Sequence, residues 1–343
     1  MTFRIRQSYR DDVDQVLAVA EHLDTVNLPA ERVHIAAILD RSEKSFAEEL
    51  PPSEREFLFV LEDLDANKII GTSIIYAQHG TKRAPHIFFR VEDDERYSVT
   101  LDKHMVHQTL RIGYNYNGPT EIGGLILLPE YRRSSTPGGE ALGKALSFVR
   151  FLFIRMHRSW FRDNVLSELL PPLEPDGTSK LWKALGKKFT GLTYQEADLL
   201  SRDNKEFIHA LFPDDPIHTE LFPDEVREEI GQVGPETKGV EALLRRIGFE
   251  YAFEIDPFDG GPHFAAKTDL ITVVSNAREL PVRIVDPEAG SWSMVAVEVS
   301  GAKPRFRAVS TKAALFEDTV AISANACKRL GVEAGQKVWL TSG

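Results

Sequence analysis

The sequence has a single cysteine, Cys327, which excludes a disulfide framework and a zinc site built from CxxC motifs. A chain without disulfides fits a reducing compartment, so a cytoplasmic protein is expected. No run approaches the roughly 18 consecutive apolar residues of a membrane span, and residues 1–10 lack the apolar segment of a signal peptide. The sequence predicts no metal site, no permanently bound cofactor and no membrane partner.

Positive charge is scarce relative to negative charge. The 41 Lys and Arg residues are outnumbered by 52 Asp and Glu residues, which gives a net charge of −11. An acidic chain repels phosphate backbones, so nucleic-acid binding is disfavoured as the main function. A small polyanionic ligand requires a local cluster of basic residues. The length of 343 residues favours two domains, or one large domain with an appendage.

The hydrophobic pattern changes along the chain near residue 276. Before that point, amphipathic helices are mixed with short strands, although residues 103–112 fit either a helix or a strand. After it, short strands dominate, at 281–286, 293–299, 305–311, 318–323 and 337–341. Many short strands separated by turns are typical of a small β-barrel. The predicted domains are therefore residues 1–275 and 276–343.

The segment 120–150 carries the strongest chemical signal. A buried strand at 120–128 leads into an Arg- and Gly-rich loop, and the loop opens a long helix near Glu140. A helix start offers free backbone N–H groups and a positive dipole end, which suit a phosphate. Arg132, Arg133 and Lys144 add local positive charge. The alternative is an ordinary strand–loop–helix connection with solvated arginines.

Two phosphate motifs compete in this loop. Gly138 to Lys144 reads GxxxxGK, but Ala145 stands where a P-loop needs Ser or Thr to bind magnesium. The segment ALGKAL (141–146) instead resembles the pyrophosphate loop of the GNAT acyltransferases. Further along the helix, Arg150, Arg155, Arg158 and Arg162 either extend a site for coenzyme A or form a solvated helix face.

Several stretches together resemble the arginine N-succinyltransferase family, which has a GNAT-like core. They are NLPA, FVLED, GGLILLPEYRR, SFVRFLF, LWKALGKKF, EAD, FIHALFPDDPIHT, EEIGQV and GFEYAFEIDPFDGGP, in that order along residues 1–275. The resemblance implies an α+β fold with a mixed, mostly antiparallel sheet flanked by helices. The small C-terminal barrel also fits this family.

The resemblance implies acyl transfer, with succinyl-CoA as donor and the α-amine of arginine as acceptor. The backbone of Leu125, Ile126 and Leu127 would meet the pantetheine. The loop and helix start would hold the pyrophosphate through Arg132, Arg133, Gly138, Gly139, Gly143 and Lys144. A homo-oligomer, or a pairing with a related subunit, is expected.

Two positions depart from the family pattern. Gly234 stands where the family has a histidine directly after IGQV, its assigned proton donor, and Tyr116 replaces a histidine before the donor-binding strand. These departures leave open an acyltransferase for a different amine or acyl group, and a non-catalytic CoA-binding partner subunit. If the family geometry is kept, restoring histidine at 234 is expected to raise turnover.

Other residues are candidates for the missing base: Tyr116, Glu121, His218 and His263. The alternatives are a packed aromatic ring for Tyr116 and structural hydrogen-bonding roles for the histidines. Asp256 and Asp259 suit a cationic substrate, or else they only stabilise a tight turn. Asn27 is a candidate substrate contact or a helix cap.

Overall fold

The computed structural model describes residues 2–22, 28–82, 84–132, 141–203, 205–287 and 290–342. The strands in these ranges are β1 (Phe3–Gln7), β2 (Glu56–Asp63), β3 (Lys68–Tyr76), β4 (His86–Ser98), β5 (Lys103–Asn115), β6 (Thr120–Leu127), β7 (Asn164–Glu168), β8 (Ile217–His218), β9 (Glu250–Ile255), β10 (Pro262–Lys267), β11 (Arg278–Ile284), β12 (Ser291–Glu298), β13 (Phe306–Leu315), β14 (Val320–Ile322) and β15 (Lys337–Thr341). The helices are α1 (Val13–Ala20), α2 (Arg32–Phe46), α3 (Leu142–Met156), α4 (Lys187–Thr190), α5 (Tyr194–Asp203), α6 (Glu206–Leu211), α7 (Asp224–Arg227), α8 (Lys238–Arg246), α9 (Thr272–Ser275) and α10 (Ala324–Leu330).

The chain divides into two compact units. Unit 1 comprises Met1–Gln78, Thr120–Asp163 and Lys267–Gly343, and unit 2 comprises His79–Pro119 and Asn164–Ala266. Among the residues that the structure describes, no helix combines the length and apolarity needed to cross a membrane.

The sheet of unit 1 is antiparallel, in the order β1, β2, β3, β6. Gly71 of β3 explains how α3 packs so closely on this sheet. A Cβ atom at Gly71 would lie 2.7 Å from the Ile126 carbonyl oxygen and 3.0 Å from Leu146 Cδ2. Any larger side chain would therefore push α3 away from the strands that carry the candidate site.

An aromatic cluster forms the core of unit 1. Phe46 of α2 lies 5.1 Å from Phe57 and 5.4 Å from Phe153, measured between ring centroids. Phe59 lies 5.3 Å from Phe306 of β13. These large rings bury much apolar surface and prefer edge-to-face geometry, so they fix α2 and α3 against β2.

The predicted C-terminal barrel is present. β12 pairs with β13 and β15, β11 pairs with β14 and β15, and β13 pairs with β14, so the five strands close on themselves. Ser323 caps α10 by accepting a hydrogen bond from the Ala326 amide at 3.2 Å. Cys327 is buried in the barrel core, as a structural cysteine would be. The domain division at residue 276 stays a prediction.

Unit 2 is built on a long hairpin of β4 and β5. The hairpin register runs from His86 opposite Asn115 to Ser98 opposite Lys103, so the ambiguous segment 103–112 is a strand. β4 also pairs with β9, β9 with β10, and β5 with β8. The resulting sheet places the first residue of β4 near the segment that joins β9 to β10.

A π-helical turn, Trp182–Gly186, directly precedes α4. The Trp182 ring lies over Gly186, where a Cβ atom would be 2.3 Å from the ring. The same ring stacks on Phe258 at 5.1 Å and donates a hydrogen bond from Nε1 to the Leu192 carbonyl. The wide turn therefore accommodates a large buried side chain.

Candidate active site

Strand β6 contains a bulge where the resemblance places the acyl donor. β3 and β6 pair on both sides of it, but Gly124 and Leu125 together lie opposite Ser73. Gly124 has a φ of +54°, and a Cβ atom there would lie 2.6 Å from Ile74 Cδ1. Because a bulge interrupts the ladder and turns its backbone groups, it is a common feature beside active sites.

Two side chains fix the backbone at this bulge. Thr72 Oγ1 donates to the Gly124 carbonyl at 3.0 Å, and Arg150 Nη1 donates to the Gly123 carbonyl at 3.3 Å. Arg150 is 2% exposed and also donates to Ser147, at 3.2 Å to the carbonyl and 2.9 Å to Oγ. Burial lowers the pKa of Arg150 to about 9. The interpretation of Arg150 as part of a solvated face is therefore wrong, because α3 packs this residue against β6.

The start of α3 approaches the end of β6. Ala141 is its N-cap residue and supplies no side-chain cap, and the first turn contains no acidic residue. A Cβ atom at Gly143 would lie 3.9 Å from Leu127 Cδ2, which is ordinary contact. Lys144 places its ammonium 5.0 Å from the Phe148 ring centroid. The helix start, as far as the described residues show it, has no side-chain cap and carries positive charge, which suits an anion.

The loop after β6 is described as far as Arg132. Arg132 is exposed, and its Nε donates to the Leu127 carbonyl at 2.8 Å, which ties the loop to the end of the strand. The other predicted loop residues, Arg133, Gly138 and Gly139, lie outside the described residues, as does Asn27.

Glu121 lies on β6 as one of two neighbouring buried acidic residues. It pairs with Tyr76 of β3, which in turn pairs with Glu56 of β2, so the three side chains share one sheet face. Glu121 is 2% exposed and Glu56 is 3% exposed. Burial raises the pKa of Glu56 to about 7, with a further contribution from the charge of Glu121 and opposition from Arg41.

His263 belongs to a histidine–carboxylate cluster in unit 2. The Nε2 atoms of His86, His263 and His79 lie 3.3, 3.6 and 3.8 Å from the same atom, Glu168 Oε1. His86 is 3% exposed and His263 is fully buried. On the other side of His263, its Nδ1 lies 3.9 Å from Glu254 Oε2. Three strands and the segment before β4 contribute: His79 precedes β4, His86 begins it, Glu168 ends β7 and His263 lies on β10.

The cluster has perturbed electrostatics. Burial opposes ionisation of Glu168, yet the charges of His263, His86 and His79 hold the pKa of this carboxyl well below its usual range. Burial lowers the pKa of His86. Burial acts in the same direction on His263, but the charge of Glu168 and the Glu254 carboxylate raise the pKa of that imidazole.

Asp256 and Asp259 stabilise the turn between β9 and β10. Asp256 Oδ1 accepts from the Phe258 amide at 2.7 Å and the Asp259 amide at 3.2 Å, and Asp259 Oδ1 accepts from the Gly261 amide at 2.7 Å. Burial and then the neighbouring Asp256 charge raise the pKa of Asp259 well above its usual range. Turn chemistry is therefore present at both residues, and their role in binding substrate stays a prediction.

Gly234 has no room for a side chain in this structure. Its amide donates to the Leu170 carbonyl at 2.8 Å, and a Cβ atom would lie 2.5 Å from the Pro171 carbonyl oxygen. Backbone atoms cannot move aside as a flexible side chain can. The predicted rise in turnover on restoring histidine at 234 assumes that a side chain fits there. The backbone at 234 passes too close to residues 170–171 for that.

A cavity of about 650 Å³ in unit 2 is lined partly by Ile230–Val233, the segment that precedes Gly234. Its charged lining residues are Asp93, Lys238, Glu241 and Arg245. Glu241 accepts a hydrogen bond from Arg245 at 2.8 Å. Because its charges are mixed, this cavity does not select a cationic amine by net charge alone.

Of the remaining base candidates, His218 lies apart from the cluster. His218 of β8 pairs with Thr109 of β5, and His86 pairs with Asn115 of the same strand. Six residues of strand correspond to about 20 Å. Tyr116 follows β5 and is 47% exposed. The structure thus places His263 in the cluster and Glu121 on the bulged strand, and separates His218 from His86.

Sequence reasoning missed His79, His86 and Glu168. Glu168 lies 89 residues after His79 and 82 after His86 in the chain, and His263 lies 95 residues further on. No local spacing therefore marks them as a group. A weak signal does exist at His86, a polar residue at the start of an apolar strand.

The sequence of this chain is similar to that of a known enzyme family over nearly its whole length. Residues 3–273 match the model of the family described as Arginine N-succinyltransferase beta subunit. The chain is 30% identical, over 347 aligned positions, to an arginine N-succinyltransferase from Yersinia pestis, covering 99% of this chain and 97% of that one. An Escherichia coli arginine N-succinyltransferase is also 30% identical, with 98% and 96% covered.

A solved structure extends the comparison to the fold. Subunit AI of the arginine/ornithine succinyltransferase from Pseudomonas aeruginosa matches with a TM-score of 0.84 and 29% identity, covering 99% of this chain and 98% of that one. The chain belongs to the arginine N-succinyltransferase family. It is thus an N-acyltransferase with an acyl-CoA co-substrate, and the predicted α+β fold with a small C-terminal barrel is confirmed.

Proposed function

We propose that this protein transfers a succinyl group from succinyl-CoA to the α-amine of arginine by direct attack of the amine on the thioester. The observation that carries the proposal is the bulge at Gly124–Leu125 beside the start of α3, in a chain of this family. The names of the relatives supply the acyl group and the amine.

The donor side of the proposed site follows from β6 and α3. Gly124 lets the backbone turn at the bulge, and Arg150 and Thr72 hold the two adjacent carbonyls. In the proposed complex, backbone N–H groups around Leu125 face the thioester oxygen, where negative charge develops during attack. The pantetheine follows the backbone of residues 125–127, and the pyrophosphate lies at the first turn of α3 near Gly143 and Lys144.

The reaction needs a group that accepts the amine proton. Nitrogen forms a bond to the thioester carbon, the carbon–sulfur bond breaks, and CoA leaves as a thiolate that takes up a proton. We assign proton acceptance to Glu121, acting through water, because it is buried on the bulged strand itself. Replacing a general base typically costs about 10²- to 10⁴-fold in rate.

The acceptor side is proposed from the turn between β9 and β10. Asp256 and Asp259 are half-buried acidic residues that suit a guanidinium group, while each also accepts backbone hydrogen bonds. We place the reaction in the cytoplasm and expect a homo-oligomer or an assembly with a related subunit. Light scattering on the purified chain, alone and with candidate partners, measures that assembly.

The first experiment measures thiol release from succinyl-CoA and from acetyl-CoA, each with arginine, ornithine, lysine or no amine. Arginine-dependent release from succinyl-CoA is the expected result. Release with another pair would replace the proposed substrates. CoA binding without release in any pair would instead favour a non-catalytic partner subunit.

Two variants test the proposed residues in the same assay. E121Q is expected to lower kcat at least about a hundredfold, whereas Y116F should change it little, since Tyr116 is half-exposed.

R132A is expected to raise the KM for the acyl-CoA and leave the KM for the amine unchanged. R132K, which keeps the charge, should recover part of the loss, and R278A, at an exposed arginine of β11, serves as the control. An unchanged acyl-CoA KM in R132A would remove this loop from the donor site.

A further inference from the structure

The histidine–carboxylate cluster of unit 2 has the composition of a metal site. His79, His86 and Glu168 each offer one ligand atom, and these atoms all lie within 4.8 Å of one another. Two imidazoles and one carboxylate are a ligand set that zinc enzymes use, with a fourth position left for water or substrate. The site lies entirely within unit 2 and shares no residue with the donor site proposed on β6 and α3.

The distances in the cluster suit ligands around one small ion. Glu168 Oε1 lies 3.3 Å from His86 Nε2 and 3.8 Å from His79 Nε2. Ligand atoms bound tetrahedrally to zinc at about 2.0–2.1 Å would be about 3.3 Å from each other. Small side-chain rotations therefore suffice to bring the three atoms to bonding distance.

His86 and His263 lack the hydrogen bonds that buried imidazoles normally make. Neither ring nitrogen of His86 or of His263 has a hydrogen-bond partner among the described residues, although both side chains are almost completely buried. Leaving buried polar atoms without partners costs free energy, so such atoms call for an explanation. His86 Nε2 faces Glu168 Oε1 at 3.3 Å without forming a hydrogen bond, and an ion held at the centre of the cluster would coordinate both atoms.

His263 and Glu254 provide a second layer around the cluster. His263 Nε2 faces Glu168 Oε1 at 3.6 Å, and its Nδ1 faces Glu254 Oε2 at 3.9 Å. Side chains that flank metal ligands in this way orient them and commonly change metal affinity by about 10- to 100-fold. Imidazole ligands favour zinc and similar transition metals over magnesium or calcium, which prefer oxygen.

We propose that His79, His86 and Glu168 form a binding site for one Zn²⁺ ion, or a transition-metal ion of the same class, with His263 orienting Glu168. The proposal goes beyond the proposed acyl transfer and does not depend on it. Local sequence spacing gives no sign of this site, because its ligands come from separate strands and loops.

The test is metal binding by the full chain, with Zn²⁺ alone as the probe. The protein is treated with a chelator, dialysed and titrated with Zn²⁺ against a chromophoric competitor, with Mg²⁺ in a parallel titration. We expect one Zn²⁺ per chain, no competition from Mg²⁺, and visible Co²⁺ absorption bands typical of a four- or five-coordinate site.

Single substitutions distinguish the residues that bind the ion from those that do not. E168Q and H79Q are expected to weaken Zn²⁺ binding by more than a hundredfold, and H263Q by about 10- to 100-fold. H218Q is the matched control. His218 pairs with Thr109 of β5, six residues along that strand from Asn115, the partner of His86, so the H218Q variant should bind Zn²⁺ like the unmodified chain. Circular dichroism of each metal-free variant shows that it is folded.

Two results would overturn the proposal. One is the absence of stoichiometric Zn²⁺ binding by the unmodified chain at micromolar concentration. The other is unchanged binding in E168Q and H79Q, which would place any bound metal elsewhere. Since H79Q alters a partly exposed side chain, it keeps the test decisive even if a variant of fully buried His86 fails to fold.

Discussion

Glu56 is a buried carboxyl whose titration should control the stability of unit 1. It lies on β2, 3% exposed, and its Oε1 has no hydrogen-bond partner among the described residues. Arg41 Nη1 lies 3.6 Å from its Oε2, but the Arg41 side chain is 59% exposed, so water weakens that attraction. Burial therefore dominates and raises the pKa of Glu56 from 4.5 to about 7.

The sign of the pH effect follows from the protons bound in each state. Between pH 4.5 and about 7, folded Glu56 retains a proton that the unfolded chain has released. The free energy of unfolding therefore falls as pH rises through this window, and levels off above it. At 1.36 kcal/mol per pKa unit, the full loss is about 3 kcal/mol.

Glu56→Gln removes this titration while keeping the shape of the side chain. Relative to the unmodified chain, the variant should gain about 2 kcal/mol of unfolding free energy between about pH 5 and about pH 7.5. Urea unfolding followed by fluorescence at a series of pH values measures the difference. E54Q, at an exposed glutamate on the turn before β2, is the control and should show no such gain. Parallel pH profiles for E56Q and the unmodified chain would refute the assignment of a raised pKa to Glu56.

Two further predictions concern glycines. G124A places a Cβ at a left-handed φ and 2.6 Å from Ile74 Cδ1, so the bulge must shift; we expect at least about a tenfold fall in kcat/KM for the acyl-CoA. G239A, at a helical glycine whose Cβ would meet nothing within 4 Å, is its control, and equal kinetics in both variants would contradict a role for the bulge. G234H should lower the free energy of unfolding by about 1–3 kcal/mol without raising turnover, as measured by urea unfolding and thiol release. G234A is the control, because it has the same steric conflict without the imidazole. Higher turnover in a stably folded G234H, but not in G234A, would contradict this prediction and show that the Pro171 carbonyl can move aside.

Much of the fold could be predicted because its signals are local. Alternating and apolar runs marked β2, β3 and β6, and the turn-rich C-terminal strands indicated the barrel that β11–β15 form. The segment 103–112 could not be assigned from its own pattern. Its strand state depends on pairing with β4, a tertiary interaction that its local pattern does not show.

The candidate site was predicted only where its residues are close in sequence. The strand–loop–helix connection from 120 to 150 showed the glycines and basic residues of a phosphate site. Helical spacing leaves Arg150 open between the donor site and a solvated face, because it does not say which face a helix buries. The packing of α3 on β6, which depends on Gly71, turned this arginine inward.

The sequence by itself determined the family, the mixed α and β elements and the stretch of chain proposed to bind the acyl donor, because these features are carried by contiguous residues. Only the tertiary structure decided that Gly234 has no space for a side chain, that Glu56 and Glu121 share a sheet face, and that three histidines surround Glu168. The physical reason is that sheet pairing joins residues far apart in the chain. Burial and electrostatic coupling act between such neighbours in space, and local sequence patterns contain no record of them.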